Sequence, residues 1–238
     1  MRFDIITIFP NILDSYLNTS LLKKAQDKGL LKVFLHNLRN YTDDKHRKVD
    51  DSPYGGGPGM VLKVEPIAKA VDYVRKVGSS TFEQVKRSSK RSGRTSRTRV
   101  ILFSLRGKKF DQKEAHRLAK YDQLIFICGR YEGVDERVAQ NIADEDLSIG
   151  DFVLSGGEIA AAVVLESVSR LIPGVLGKME SLEELKGTYP VYTKPEAIKL
   201  KVPSRAGKSG KPKVVRVPKI LLSGDHKKID QWRSKYTG

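Results

Sequence analysis

Four short runs of Ile, Val, Leu and Phe constrain this chain most: Phe3–Phe9, Lys32–Leu38, Val100–Leu105 and Leu124–Cys128. Each has the length of a strand and reads as a strand buried on both faces. Stretches with helical spacing lie between them, at Asn11–Lys28, Val64–Val77 and Gln112–Lys120. A later one, Leu154–Ile172, holds a glycine pair and then an apolar-faced helix that stops at Pro173-Gly174. Strands alternating with helices predict an α/β fold with a parallel sheet covered on both sides. The 238 residues suffice for one such domain and a small appendage. The boundary is expected near residues 177–190, within a stretch of low apolar density. A basic, Pro-containing segment follows, then a short capped helix beginning at Asp225, whose Trp232 is expected in the core of the small domain.

Composition excludes several classes. A single cysteine, Cys128, rules out an internal disulfide framework and reads as a packed small hydrophobe, and neither a CxxC nor an HExxH zinc pattern occurs. No apolar run is long enough to cross a membrane, and the start reads as a strand rather than a secretory signal. A cytoplasmic protein without a membrane partner is expected. The net charge of +16 is concentrated. Seven cations without an acid lie between Lys86 and Arg99, and eight between Ala197 and Gly224, which leaves the rest of the chain near neutrality. Localised positive charge is what a phosphate-binding footprint needs, although a solvated basic loop would carry the same residues.

Glycines mark three further places. Asp50–Met60 contains Gly55-Gly56-Gly57-Pro58-Gly59 but follows a polar stretch, and Met60 occupies the last glycine of a GxGxxG pattern, so no dinucleotide fingerprint is present. Gly207-Lys208-Ser209 ends like a phosphate loop, but Val202 stands where its first glycine belongs. Gly129 directly follows an apolar strand, where ligands approach in open α/β sheets. Ser148–Glu158 is a second glycine-punctuated turn, feeding a helix N-terminus with free backbone N–H groups. Each turn has a plain structural reading alone. Together with Gly107 after the Val100–Leu105 strand, they suggest one pocket built by three loops.

Four motifs in order, DDSPYGGGPGM, ICGRYEGVDERV, SIGDFVLSGGE and SRLIPGVLG, resemble the bacterial tRNA (guanine-N1)-methyltransferase family. Asp44–Arg47, Tyr192–Glu196 and Leu221–His226 resemble it as well, so the likeness runs from Arg2 to Arg233. The resemblance implies a SPOUT-type fold: a knotted α/β domain over 1–177, with 80–99 as a basic insertion loop, a linker over 178–190, and a small, basic, mostly helical tRNA-binding domain over 191–238. It implies a homodimer that binds S-adenosylmethionine and tRNA and methylates N1 of the guanosine 3′-adjacent to the anticodon, with Mg2+ left open as a second cofactor. Leu102, Phe103, Ser104 and Leu105 would form the first cofactor loop, and Gly129, Tyr131 and Glu132 the second. Ile149, Gly150, Asp151, Phe152, Val153, Leu154, Gly156 and Gly157 would form the third, holding the adenine largely by backbone hydrogen bonds. The Asp43–Met60 region resembles the part that reaches the guanosine and the neighbouring subunit.

Guanine N1 carries a proton and becomes a nucleophile only when that proton is lost, so a carboxylate base is needed. A guanidinium can stabilise the charge that spreads to O6, and Arg170 matches the family's arginine for this. The family's base is an aspartate fifteen residues beyond that arginine, where this chain has Leu185. The linker is about five residues shorter by the same counting, so the adjacent glutamates become candidates, Glu184 first and Glu183 second. Val191 replaces a family histidine, Leu105-Arg106 replaces Pro-Gln, and the chain stops short of the family's C-terminus. Two other readings stay open: a knotted methyltransferase acting on another RNA position, and an RNA-binding relative with weakened catalysis.

Overall fold

In the computed structural model, residues 1–88, 97–177, 188–201 and 212–236 are described. The chain divides into two units, Met1–Gly177 and Lys178–Gly238.

The first unit is built on five parallel strands in the order β2-β1-β6-β5-β7: β1 (Arg2–Thr7), β2 (Lys32–Asn37), β5 (Thr98–Lys109), β6 (Gln123–Ile127) and β7 (Glu145–Ser148). Every residue of β1 and β6 is buried, which is why these runs lack alternation. The two faces still sort by the period of two. Phe3, Ile5, Leu124, Phe126 and Ile101 pack with α2 (Ser20–Asp27), α4 (Gln112–Leu118) and α6 (Glu158–Ser169). Ile6, Ile125, Ile127, Val100 and Leu102 face α3 (Val64–Ser88) and α5 (Glu136–Asn141). The strand pair β3 (Asp50–Asp51) and β4 (Val61–Leu62) forms a separate antiparallel hairpin.

Three expectations are corrected. The helix foreseen over Asn11–Lys28 is broken into a 3₁₀ turn at Pro10–Leu13, a short α1 (Asp14–Leu17) and α2. At the break, Asn18 Nδ2 donates to Asp14 O at 2.8 Å and Thr19 Oγ1 to Ser15 O at 3.0 Å, side-chain bonds that compete with the helical ladder. The second correction concerns α3, which continues to Ser88 instead of ending at Val77, so the start of the expected 80–99 insertion loop is helical and 89–96 lie outside the described residues. Gly78, just past the expected end, lies within the helix at a close approach: a Cβ there would stand 2.3 Å from Gln123 Oε1. Third, β7 escapes the apolar pattern. Glu145 is bound by Arg99 and Arg117, and Leu147 alone of the four is a core apolar residue.

One polar cluster is fully enclosed by the sheet. Asp4, with no exposed surface, accepts from Arg2 at 2.7 and 2.8 Å and from Gln123 Nε2 at 2.8 Å, and His36 Nε2 lies 2.8 Å away. Burial opposes ionisation of this carboxyl, but the bonds from His36, Arg2 and Gln123 outweigh it and hold it below its ordinary range.

The second unit pairs β8 (Ala197–Lys201) with β9 (Pro212–Arg216) in an antiparallel ribbon, followed by the helices Lys219–Leu222 and His226–Ser234. The mostly helical expectation did not include this ribbon. The terminal helix begins as foreseen, with Asp225 accepting from Lys228 N at 3.2 Å. Trp232 sits among Tyr192 and Tyr236, at 6.3 and 5.0 Å between centroids. No helix among the described residues is long and apolar enough to cross a membrane.

Helix propensity alone would make Gly78→Ala stabilising. The new methyl instead displaces the Gln123 amide from Asp4, so a net loss of about 1–3 kcal/mol is expected. Urea unfolding checks this, and a gain in stability would show that Gln123 shifts freely.

Candidate functional site

The C-terminal ends of β5, β6 and β7 open onto one cavity of about 490 Å³, the edge at which open α/β sheets hold ligands. Three chain segments build it, and in each a local reason turns the backbone toward the opening.

The first segment leaves the sheet and rejoins it. Phe103 and Lys108 both pair with Leu147, so residues 104–107 are extruded between them. Gly107 is pressed so closely on β7 that a Cβ would lie 2.6 Å from Asp146 C and Leu147 N. The second segment follows β6, where Cys128 N still donates to Ile6 O at 3.0 Å, and then turns through Tyr131 at φ +60° and Gly133 at φ +134°. The third follows β7, turns at Gly150 with φ +153°, and enters α6 through Gly156 and Gly157.

The second and third segments touch through their backbones. Gly157 N donates to Gly129 O at 3.0 Å, and Arg130 pairs with Gly156 in an isolated antiparallel bridge. A Cβ on Gly157 would stand 2.8 Å from Cys128 Cα, and one on Gly156 2.2 Å from Arg130 Nε. Beneath this contact Glu158, 1% exposed, holds Arg130 through bonds of 2.9–3.1 Å and accepts from Thr7 Oγ1 at 2.6 Å. Thr7 Oγ1 accepts from Phe9 N at 3.0 Å, and the Arg130 guanidinium lies 4.9 Å from the Phe9 ring centre.

Fourteen of the fifteen residues foreseen for cofactor contact line the cavity: Leu102 to Leu105, Gly129, Tyr131, Glu132, Ile149, Gly150, Phe152, Val153, Leu154, Gly156 and Gly157. Asp151 does not; its exposed side chain is paired with Lys109. Arg170 is also outside the lining. It caps the C-terminal end of α6, ten residues beyond Ala160 of the cavity lining, roughly 15 Å at 1.5 Å per residue. Glu183 and Glu184 lie outside the described residues.

Sequence reasoning did not single out Arg130, Arg106, Glu136 or Thr7, nor Glu158 as a buried anchor. An acid at the first turn of an apolar helix and an arginine after a strand-ending glycine were the only signals. Their partnership spans 28 residues and leaves no periodic mark.

The wall is partly greasy and partly charged. Leu105, Phe152 and Val153 are exposed apolar residues. Two carboxylates line it, Glu132 and Glu136, and Glu136 is neutralised by an ion pair with Arg106, whose guanidinium is held further toward its charged form by that bond. Burial, helped by the Glu136 charge, raises the neighbouring Asp146 carboxyl. Burial pushes the Cys128 thiol well above its usual value, so it is not an available nucleophile. The arrangement suits a small, flat, polar-edged ligand held by backbone groups and apolar side chains.

Comparison with known proteins agrees with this geometry. The family model described as tRNA (Guanine-1)-methyltransferase TrmD matches residues 1–237. The tRNA (guanine-N(1)-)-methyltransferase of Carboxydothermus hydrogenoformans is 45% identical over 240 residues, 99% of this chain and 82% of the relative. That of Dictyoglomus turgidum is 46% identical, over 99% and 84%. The crystal structure of the tRNA (m1G37) methyltransferase from Aquifex aeolicus, 40% identical, superposes with a TM-score of 0.70 over 98% of this chain and 87% of that one. A match over the whole length, in sequence and in fold, means that this chain belongs to the tRNA (guanine-N1)-methyltransferase family.

Proposed function

We propose that the protein transfers a methyl group from S-adenosylmethionine to N1 of the guanosine 3′-adjacent to the anticodon of tRNA. The observation that carries this reading is the three-loop cavity at the C-terminal edge of the sheet, in a chain whose family performs tRNA guanine-N1 methylation. Its volume falls within the range of small-molecule sites. Gly156 and Gly157 let the second and third loops close on each other, which shapes the cavity wall. When bound, the cofactor supplies an electrophilic methyl on a sulfonium leaving group. Leu102–Leu105, Gly129–Glu132 and Ile149–Gly157, apart from Asp151, would hold it. Among the described residues no group of three or more His, Cys, Asp or Glu side chains could hold a metal ion, so no Mg2+ ligands are assigned. The reading includes the family's trefoil knot and a cytoplasmic location.

Arg170 is assigned to stabilise charge developing on guanine O6, and Glu184 to take the N1 proton, with Glu183 as its substitute. Arg170 lies outside the cavity lining of its own chain, and a second copy is the arrangement that would bring such an arginine to a site from outside. A homodimer is supported independently. α6 is apolar on nearly all sides, the composition of a helix that is buried all round, yet Ile159 and Val163 are half exposed. Exposed Phe9 and Ile12 lie on or beside the 3₁₀ turn Pro10–Leu13 that contacts α6. Exposed apolar residues on two elements that touch are what a protein interface would cover.

The second unit is assigned to tRNA phosphates. In the β8–β9 register Ala197 faces Arg216 and Lys199 faces Val214, so Lys199, Lys201 and Arg216 share one face of the ribbon.

Transfer of labelled methyl to tRNA transcripts that differ only at the base after the anticodon tests the reaction: label is expected with guanosine alone, and equal labelling of all transcripts would refute the position. Glu184→Gln should slow single-turnover methylation at least about 100-fold with cofactor binding retained. Arg170→Ala should slow the chemical step by about 100-fold or more at saturating tRNA; wild-type rates would remove either residue from the mechanism. Ile159→Lys combined with Val163→Glu should sediment as a monomer and lose activity, whereas a persisting dimer would relocate the interface. Replacing Lys199, Lys201 and Arg216 by Ala should flatten the log–log salt dependence of tRNA binding by about two to three. An unchanged slope would show that the ribbon does not meet phosphate.

A further inference from the structure

The glycine-rich stretch between β3 and β4 is tied to the second cavity loop. Glu132 N donates to Met60 O at 3.1 Å, Leu62 N to Gly133 O at 3.0 Å, and Asp135 N to Leu62 O at 3.0 Å. Beside these bonds Gly59, at φ +81°, lies against the Glu132 side chain. A Cβ on Gly59 would stand 2.4 Å from Glu132 Oε1, 2.5 Å from Cγ and 2.8 Å from Cδ. Gly55, Gly56 and Gly57 also have positive φ, but a Cβ on any of them would meet nothing within 4 Å. These three are favoured by the turn alone, whereas Gly59 in addition lies in contact with a side chain.

What it touches is chemically distinct. Glu132 and Glu136 are the two carboxylates on the cavity wall, and Arg106 neutralises Glu136. Glu132 forms no ion pair among the described residues. An unneutralised carboxylate on a ligand-sized cavity is suited to a cationic ligand. S-adenosylmethionine carries two positive groups, the sulfonium and the α-ammonium.

We propose that Gly59 is a positioning residue for the cofactor site: by lacking a side chain it allows the Glu132 rotamer that presents a free carboxylate to the cationic part of S-adenosylmethionine. The inference rests on the cofactor reading above and adds to it a residue from outside the three cofactor loops. Any side chain at Gly59 would drive Cγ, Cδ and Oε1 of Glu132 from their places together, so the carboxylate would have to leave its position on the wall.

A double-mutant cycle read by calorimetry tests it, with S-adenosylmethionine titrated into the full-length protein and into Gly59→Ala, Glu132→Ala and the double variant. Gly59→Ala and Glu132→Ala are each expected to weaken binding about tenfold, and the double variant no further than Glu132→Ala alone. Backbone strain at φ +81° acts in both backgrounds, whereas the collision exists only where the Glu132 side chain is present. The proposal is overturned if Gly59→Ala binds like the unaltered protein, if Glu132→Ala does, or if the Gly59→Ala loss persists undiminished in the Glu132→Ala background. Should Gly59→Ala fail to fold, adding Glu132→Ala must restore its melting transition, and failure to do so counts against the collision. Absence of binding by the unaltered protein would overturn the cofactor reading, and the Gly59 assignment with it. Binding by that protein with an additive cycle would overturn the Gly59 assignment alone.

Discussion

The loop after β6 and the entry to α6 approach each other closely at Gly129 and Gly157, and the walls of the cavity are built on that contact. The 3.0 Å bond from Gly157 N to Gly129 O brings the end of β6 against the start of α6. With Gly157 positioned for a Cβ only 2.8 Å from Cys128 Cα, no other residue fits without moving the strand. The same approach lets Glu158 drop below the loops into a site with almost no solvent, where Arg130 and Thr7 satisfy its oxygens. Removing one partner of such a buried pair generally costs about 3–5 kcal/mol, because the remaining charge is left unsolvated. The pair therefore acts as a lock on loop geometry, and the cavity wall inherits its rigidity.

Charge is distributed to match the two tasks of the chain. Around the cavity, acids and bases cancel in pairs, Glu136 with Arg106 and Glu158 with Arg130, and Glu132 remains unpaired among the described residues. The net positive charge resides elsewhere, in the two segments that the sequence shows to be free of acids. A near-neutral pocket with one unpaired carboxylate among the described residues is chemically suited to a small cation, and acid-free basic segments are suited to a polyanion. Polyanion binding is long-ranged and sensitive to salt, whereas a carboxylate on a cavity wall acts at contact distance.

Arg170 shows how sequence spacing becomes distance once a helix forms. Its spacing after the Ser-Gly-Gly-Glu motif is a property of the chain, but α6 turns that spacing into a rigid rod with the glycines at one end and the arginine at the other. Along this apolar rod Ile159 and Val163 are half exposed.

Much of the sheet was legible because apolar runs such as Phe3–Phe9 and Leu124–Cys128 must be buried wherever they fall. The glycine-bearing turns that line the cavity were legible too, since close backbone approach demands glycine. β7 was not, because its acids are satisfied by Arg99 and Arg117 from other parts of the chain. Nor was the extent of α3, because Gly78 lies within that helix at a close approach to Gln123 rather than at its end. The sequence by itself determined the α/β class, the three glycine loops, the basic segments and the family. Only the tertiary structure decided which loops touch, that Glu158 anchors Arg130, that Gly59 lies on Glu132, and that Arg170 lies outside the cavity lining of its own chain. Burial and backbone conformation are local preferences written residue by residue, whereas these contacts join residues far apart in the chain and exist only once it has folded.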